Sequence, residues 1–356
     1  VAKSTRTQAR QRVTTSKAKT WAKEWLDAII WAGTVALIVR TFFFEAYRIP
    51  TPSMERTLLT GDFLIVSKLN WGLRTPMTLG IPFTDIHVPG LELPWVRVPG
   101  WQDVERNDIV VFNYPIDQKV TAAKTNYIKR AVAVPGDTVE FREKRLFVNG
   151  EQEQHRDTYE QIYVVMPQNR VRLSEAKIKL AGGELRQFDP QSNAYFISLT
   201  EASLATMRTW PEVASVELYV RPVDVNDYDG SRFDFRRGMG SNPDHVAPFV
   251  VPGRDITVAL DPATYPVYRY VIERYEENVV ERRGNEFFIN GEAATSYTFK
   301  MDYYFMMGDN RDNSEDSRMW GFVPEDHVIG KPAIIYFSID MERFVPRFGR
   351  IFNLIN

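Results

Sequence analysis

The sequence predicts a mainly β protein: an antiparallel β core behind one N-terminal transmembrane helix, interrupted by a large inserted second domain. Three observations predict it. The first is a single, mostly apolar stretch near the N-terminus, Trp25–Phe44, close to the ~20 residues a helix needs to cross a bilayer core. The second lies beyond that stretch, in short runs rich in β-branched and aromatic residues, bounded by Gly, Pro and Asn. The third is an internal echo, LFVNGE at Leu146–Glu151 returning as FFINGE at Phe287–Glu292. Each copy ends a hydrophobic run in Asn-Gly, a strong hairpin signal, and the two lie too far apart for a solenoid repeat.

At 356 residues the chain has room for two modest domains and a sizeable core. It opens on Val1 rather than Met, which points to a start upstream and leaves a further span there open. From Val1 to Lys23 every ionisable side chain is basic (Lys3, Arg6, Arg10, Arg12, Lys17, Lys19, Lys23), and the first acid is Glu24. Such a run is ordinarily a solvated tail, but beside a span it is the signature of the cytoplasmic side. Residues 1–24 are therefore read as a cytoplasmic tail and 25–45 as the anchor, with everything beyond on the far side of the membrane. Asp27 and Arg40 sit near the ends of the span, where an arginine can snorkel to the headgroups. A cleavable leader is disfavoured because no small-x-small site follows the apolar run.

Past the anchor, strands are expected at Phe63–Ser67, Asp108–Phe112, Tyr127–Val134, Thr138–Phe141, Leu146–Val148, Tyr303–Met307 and Ala333–Ser338. Ile81–Trp101 is rich in Pro, Gly and Trp and reads as neither strand nor helix; Trp95 and Trp101 suit a loop resting at headgroup depth. The core is assigned to 46–151 and 286–345, the inserted domain to 152–285 with a short helix near Ser203–Met207, and a C-terminal segment to 346–356. The formal net charge of −2 argues against a general nucleic-acid binder. Absence of cysteine removes thiolate nucleophiles, Cys-based zinc sites and disulfides, and four scattered histidines make no metal motif, so no cofactor or metal is indicated.

Three stretches carry candidate chemistry. Ser53 follows the anchor within IPTPSMERTLL, where a solvated turn would be the ordinary reading. YIKR at Tyr127–Arg130 opens a strand on which Tyr127, Lys129 and Ala131 share one face and Ile128, Arg130 and Val132 the other. Arg130 stays charged almost anywhere and can pair at a surface, which leaves Lys129 as the residue for burial. A buried lysine loses its proton more readily, and the neutral amine can take one from a serine hydroxyl. The third stretch, GDNRDNSEDSRMWGFVP at Gly308–Pro324, has the charge density of a calcium loop. Aligned from Asp309, however, it puts Arg311 at the third position, Ser314 at the turn glycine and Trp320 at the bidentate glutamate. An ion-paired scaffold loop is the remaining reading.

Together, in order and wording, these stretches resemble the bacterial type I signal peptidases, membrane-anchored serine proteases that use a Ser-Lys dyad. The likeness covers the span and the core but not the inserted domain. It implies an antiparallel coiled-sheet catalytic core with Ser53 as nucleophile and Lys129 as general base. It also implies an oxyanion hole from the Ser53 amide and the Thr51 hydroxyl, where the family often has serine. Ser314 matches a hydroxyl that bonds the lysine amine, and Arg130, Asp309, Arg311, Asp316 and Arg318 match structural ion pairs. Ile49, Met54, Leu58, Tyr127 and Ile128 match substrate-binding positions, shallow apolar walls that accept the small residues of Ala-x-Ala sites. Arg56 departs from the proline often found there. The implied partners are exported preproteins and the lipid bilayer, with the translocon as a further candidate, and the implied location is the inner membrane with the catalytic domain outside the cytoplasm. Two rivals remain from the sequence: another Ser-Lys peptidase, of the self-cleaving repressor type, and a non-catalytic, membrane-tethered β scaffold of the envelope.

Overall fold

Lys23–Phe43 forms one helix of 21 residues, with a mean hydropathy of 1.7 and no part of that window buried against the rest of the chain. It is long and apolar enough to cross a membrane. The computed structural model describes residues 21, 23–75, 78–80, 87–92, 94–117, 124–225, 240 and 242–355, so most of the basic tail lies outside the described residues. The last helical turn, Val39–Phe43, widens to a π turn, and Phe44, assigned to the span by its apolar pattern, already begins the strand Phe44–Arg48. No linker separates helix from sheet. Glu45 fastens the junction, pairing with Arg40 at 3.1 Å and Lys68 at 2.8 Å, while Lys68 also donates to the Arg40 carbonyl at 3.0 Å.

The core is a curled antiparallel sheet of seven strands in the order Phe44–Arg48, Asp62–Ser67, Val328–Ser338, Ile109–Asn113, Asn126–Ala133, Tyr303–Met307 and Val323–Pro324. Strands from both ends of the sequence thus interleave, and the expected strands form within a few residues of their predicted bounds. Ala131 packs with Trp71, Phe112 and Met306 on one face, and Val132 with Phe249, Phe305 and Phe322 on the other. This is the alternation read from YIKRAV. Both Asn-Gly pairs turn hairpins with positive φ at each residue (55° and 82° at Asn149 and Gly150, 53° and 89° at Asn290 and Gly291), as a type I′ turn requires.

A second antiparallel sheet joins Glu184–Asp189, Ala194–Leu199, Gln161–Pro167 and Val213–Leu218. It has its own core around Val165, Ile178, Ile197, Leu204 and Met207. The helix expected near Ser203–Met207 spans Glu201–Arg208 and is capped by Thr200, which accepts from Ser203 N. Later in the chain Val246–Val250 returns to pair with Thr138–Arg142, and Val267, Tyr268, Val271 and Ile272 join the main core. Within the Pro-rich stretch 81–101, His87–Glu92 is a strand after all, paired with Thr78–Gly80. Backbone pairing there overrides a composition that spoke against it. Trp101 is exposed and Trp95 half-buried.

Candidate active site

The three stretches meet where the strand Asn126–Ala133 passes beneath the turn Pro52–Met54. Proline at the first position fixes φ for the turn without removing a needed donor. Thr51 precedes it in extended conformation, exposed, with no side-chain cap bond. Ser53 and Met54 turn inwards, and Met54 packs with Ile49, Leu58, Leu64, Ile109 and Ile335. Ile49, Met54 and Leu58 are at most 3% exposed and belong to one apolar cluster, against which Ile128 packs partly buried.

Ser53 Oγ lies 2.6 Å from Lys129 Nζ. Both residues are buried, Ser53 at 6% and Lys129 at 3% exposure. Burial lowers the amine pKa from 10.5 to about 8, against the pull of Asp316 and Glu315, which favour the charged form. A fraction of the amine is thus neutral at physiological pH, within reach of the serine proton. None of the described residues accepts a hydrogen bond from the Ser53 N–H.

The loop after Tyr303–Met307 holds this pair in place. Gly308 is required by contact: an added Cβ would lie 2.3 Å from Ser314 Oγ and 2.5 Å from the Ser53 carbonyl oxygen. Asn310 grips the Ser53 turn, its N–H donating to the Ser53 carbonyl at 3.1 Å and its side-chain amide to the Pro52 carbonyl at 3.2 Å. Arg130, expected at a surface, is only 1% exposed. It forms a two-pronged pair with Asp309 (2.8 and 2.7 Å) and donates to the Asn107 carbonyl at 2.7 Å, so its buried charge is fully matched. Arg318 makes a similar fork to Asp316, at 2.8 Å for both bonds, and also donates to the Arg311 carbonyl. Asp316 accepts from Gly308 N as well, and the carboxylate is held below its usual pKa by Arg318 in spite of burial. Arg311, also buried, pairs instead with Glu153 at 2.7 Å and lies over the Tyr159 ring at 3.9 Å.

Ser314 Oγ is buried beside Gly308 and leans on Asp316; it forms no hydrogen bond of good geometry, and none to Lys129. Tyr127 flanks the Ser53–Lys129 pair, its ring centroid 5.3 Å from Lys129 Nζ and stacked on Tyr114. Both tyrosine hydroxyls donate to Glu315, at 2.7 Å from Tyr114 and 3.0 Å from Tyr127. Sequence reading missed Glu315, Asn310 and Asn107; the first two stand inside GDNRDNSED but only their fold partners distinguish them. It named Arg56 only as a departure from the family pattern and gave it no role; the residue adopts φ 70° and pairs with Glu160 at 2.6 Å. Among the described residues no group of His, Asp or Glu is placed to hold a metal ion.

Comparison with known proteins identifies the family. The family model described as "Signal peptidase, peptidase S26" matches residues 22–197 and 252–337. Signal peptidase I of Buchnera aphidicola subsp. Acyrthosiphon pisum (strain APS) is 26% identical over 331 residues, covering 93% of this chain and 80% of the relative. Signal peptidase I of Pseudomonas aeruginosa (strain PAO1) is 26% identical over 332 residues, 89% of this chain and 74% of the relative. That of Aquifex aeolicus (strain VF5) is 24% identical over 312 residues, covering 87% and 82%. With a matched region that takes in the anchor, the Ser53 turn, the Lys129 strand and the Gly308–Pro324 loop, the chain belongs to the signal peptidase family, peptidase S26.

Proposed function

We propose that this chain is a membrane-anchored serine endopeptidase that removes N-terminal signal peptides from exported preproteins, cleaving after small residues at Ala-x-Ala-like sites. The observation that carries the reading is the 2.6 Å contact between a buried serine hydroxyl and a buried lysine amine of lowered pKa. In the neutral state Lys129 takes the Ser53 proton as Oγ attacks the scissile carbonyl, then gives it to the leaving amine. The resulting acyl-enzyme is hydrolysed by a water activated by the same amine. The Ser53 N–H, without an intrachain acceptor among the described residues, and the exposed Thr51 hydroxyl are the donors to the developing oxyanion.

Preference for small residues is what the family likeness implies; the apolar cluster of Ile49, Met54 and Leu58, next to Ser53 in sequence, is consistent with apolar rather than charged side chains at the site. The anchor confines enzyme and preprotein to one surface and so raises their effective concentration. By the basic tail, the catalytic domain lies on the extracytoplasmic face of the inner membrane. The translocon, which delivers the same substrates, is the partner this placement favours. The test is cleavage of a preprotein carrying an Ala-x-Ala site, in detergent with lipid, by wild type, Ser53→Ala and Lys129→Ala. Wild type is expected to cut at that site and both folded variants to fall to background; equal cleavage by all three would remove the dyad.

A further inference from the structure

The nucleophile turn is a three-residue 3-10 segment, and a residue at the entrance to the second sheet closes it into a ring. Glu160, 1% exposed, stands immediately before the strand Gln161–Pro167. Its N–H donates to the Asp309 carbonyl at 3.0 Å and its carbonyl accepts from Arg311 N at 2.9 Å, so its main chain brackets Asn310 from both sides. Asn310 in turn holds the carbonyls of Pro52 and Ser53. The Glu160 side chain completes the circuit: Oε1 accepts from Arg56 Nε at 2.6 Å, three residues after Ser53, and Oε2 lies 3.5 Å from Ser198 Oγ of the second sheet. Arg56 adds a bond to the Gly182 carbonyl at 2.6 Å, also in the second sheet's region. Two neighbouring contacts reinforce the seam, Asp312 pairing with Lys144 at 2.8 Å and accepting from Ile162 N at 2.6 Å.

We propose that Glu160 is a positioning residue for the reaction: it clamps Asn310 with its main chain and Arg56 with its side chain, so that the second sheet fixes the height and orientation of Ser53 against Lys129. The proposal rests on Ser53 being the nucleophile. Its physical basis is tolerance: a nucleophile held by two carbonyl contacts alone can drift, and a displacement of about 1 Å from the attack geometry costs on the order of 10²-fold in rate. The second sheet thereby gains a catalytic consequence without contributing a reacting group. Charge burial explains the pairing of residues, since a carboxylate this deep needs a cation and, among the described residues, Arg56 supplies it.

The experiment uses the full chain in detergent with lipid and compares Glu160→Gln, Arg56→Ala, the double variant and Arg56→Lys. Glu281→Gln, in an exposed pair with Arg283 on the strand Val280–Arg283, is the control. Single-turnover cleavage of an Ala-x-Ala preprotein is read together with hydrogen exchange of amides 52–58 and of the strand Gln161–Pro167. Each single variant is expected to lose roughly 10- to 100-fold in kcat with KM within about 3-fold of wild type. The double variant should be no worse than the worse single, Arg56→Lys should recover part of the loss, and the control should match wild type. Exchange of 52–58 should quicken while the strand keeps its protection. Unchanged kcat in both single variants, multiplicative losses in the double, or equal loosening of turn and strand would overturn the proposal. Should wild type itself fail to cleave, the dyad reading falls. The exchange arm then decides alone whether Glu160 holds the turn.

Discussion

Raising the pH from 6 to 9 should switch the enzyme on through one group, Lys129. Its pKa of about 8 arises first from burial and is moderated by Asp316 and Glu315. With that value the neutral fraction is about 1% at pH 6, about 10% at pH 7 and about 90% at pH 9, a rise of roughly 90-fold that levels off above pH 9. An exposed amine of pKa ~10.4 would give a steeper rise with no plateau in this range. The assay is single-turnover cleavage of an Ala-x-Ala preprotein across pH 6–10 in detergent, with Ser53→Ala as the blank, so that product release does not mask the chemical step. A half-point near 8 and then a plateau agree with a buried general base. A rate that keeps climbing to pH 10, or one flat from pH 6, would refute the reasoning, because neither can come from an amine held as Lys129 is.

The same burial has a cost in stability. The unfolded chain keeps its lysine protonated to pH ~10.4, so the penalty is fully present below pH ~8 and is relieved as pH rises between the two values. Lys129→Met should therefore be about 2–3 kcal/mol more stable than wild type at pH 7, with the gap closing towards pH 10 in denaturant titrations. Arg130→Ala leaves the Asp309 carboxylate buried without its fork and should cost about 3–5 kcal/mol by the same titration. Gly308→Ala drives a methyl against the Ser53 carbonyl and Ser314 Oγ; kcat should fall on the order of 10²-fold while far-UV circular dichroism keeps its β signal. Asp316→Asn removes the strongest charge favouring protonated Lys129, so the acidic limb of the pH profile should move to lower pH.

Much of this architecture is legible in the sequence because it is written locally. Alternation in YIKRAV places Lys129 and Arg130 on opposite faces, and Asn-Gly announces both hairpins before any tertiary contact is known. What escapes is set by partners far along the chain. Arg130 is buried because Asp309, 179 residues later, offers a matched fork, and nothing in YIKR reveals that. Glu160 sits in the unremarkable run DTYEQI and acquires its position only when two sheets meet at Asn310. The strand His87–Glu92 hides inside Pro-Gly-rich sequence because main-chain pairing, unlike side-chain pattern, leaves little trace in composition. The hydroxyl of Ser314 shows the opposite: a family likeness points it towards Lys129, whereas here it rests against Gly308 and Asp316.

The helix Lys23–Phe43 runs straight into the strand Phe44–Arg48, and Glu45 rivets the joint through Arg40 and Lys68. Ser53 stands nine positions after Phe44, roughly 30 Å of chain even if fully stretched, and the residues between are folded into sheet and turn. The active site is therefore mounted on a post rather than tethered on a leash. A peptide bond too near the bilayer, or too far above it, is out of reach however well its side chains fit. On the proposed function, this mounting would make altitude above the bilayer a criterion of cleavage beside sequence.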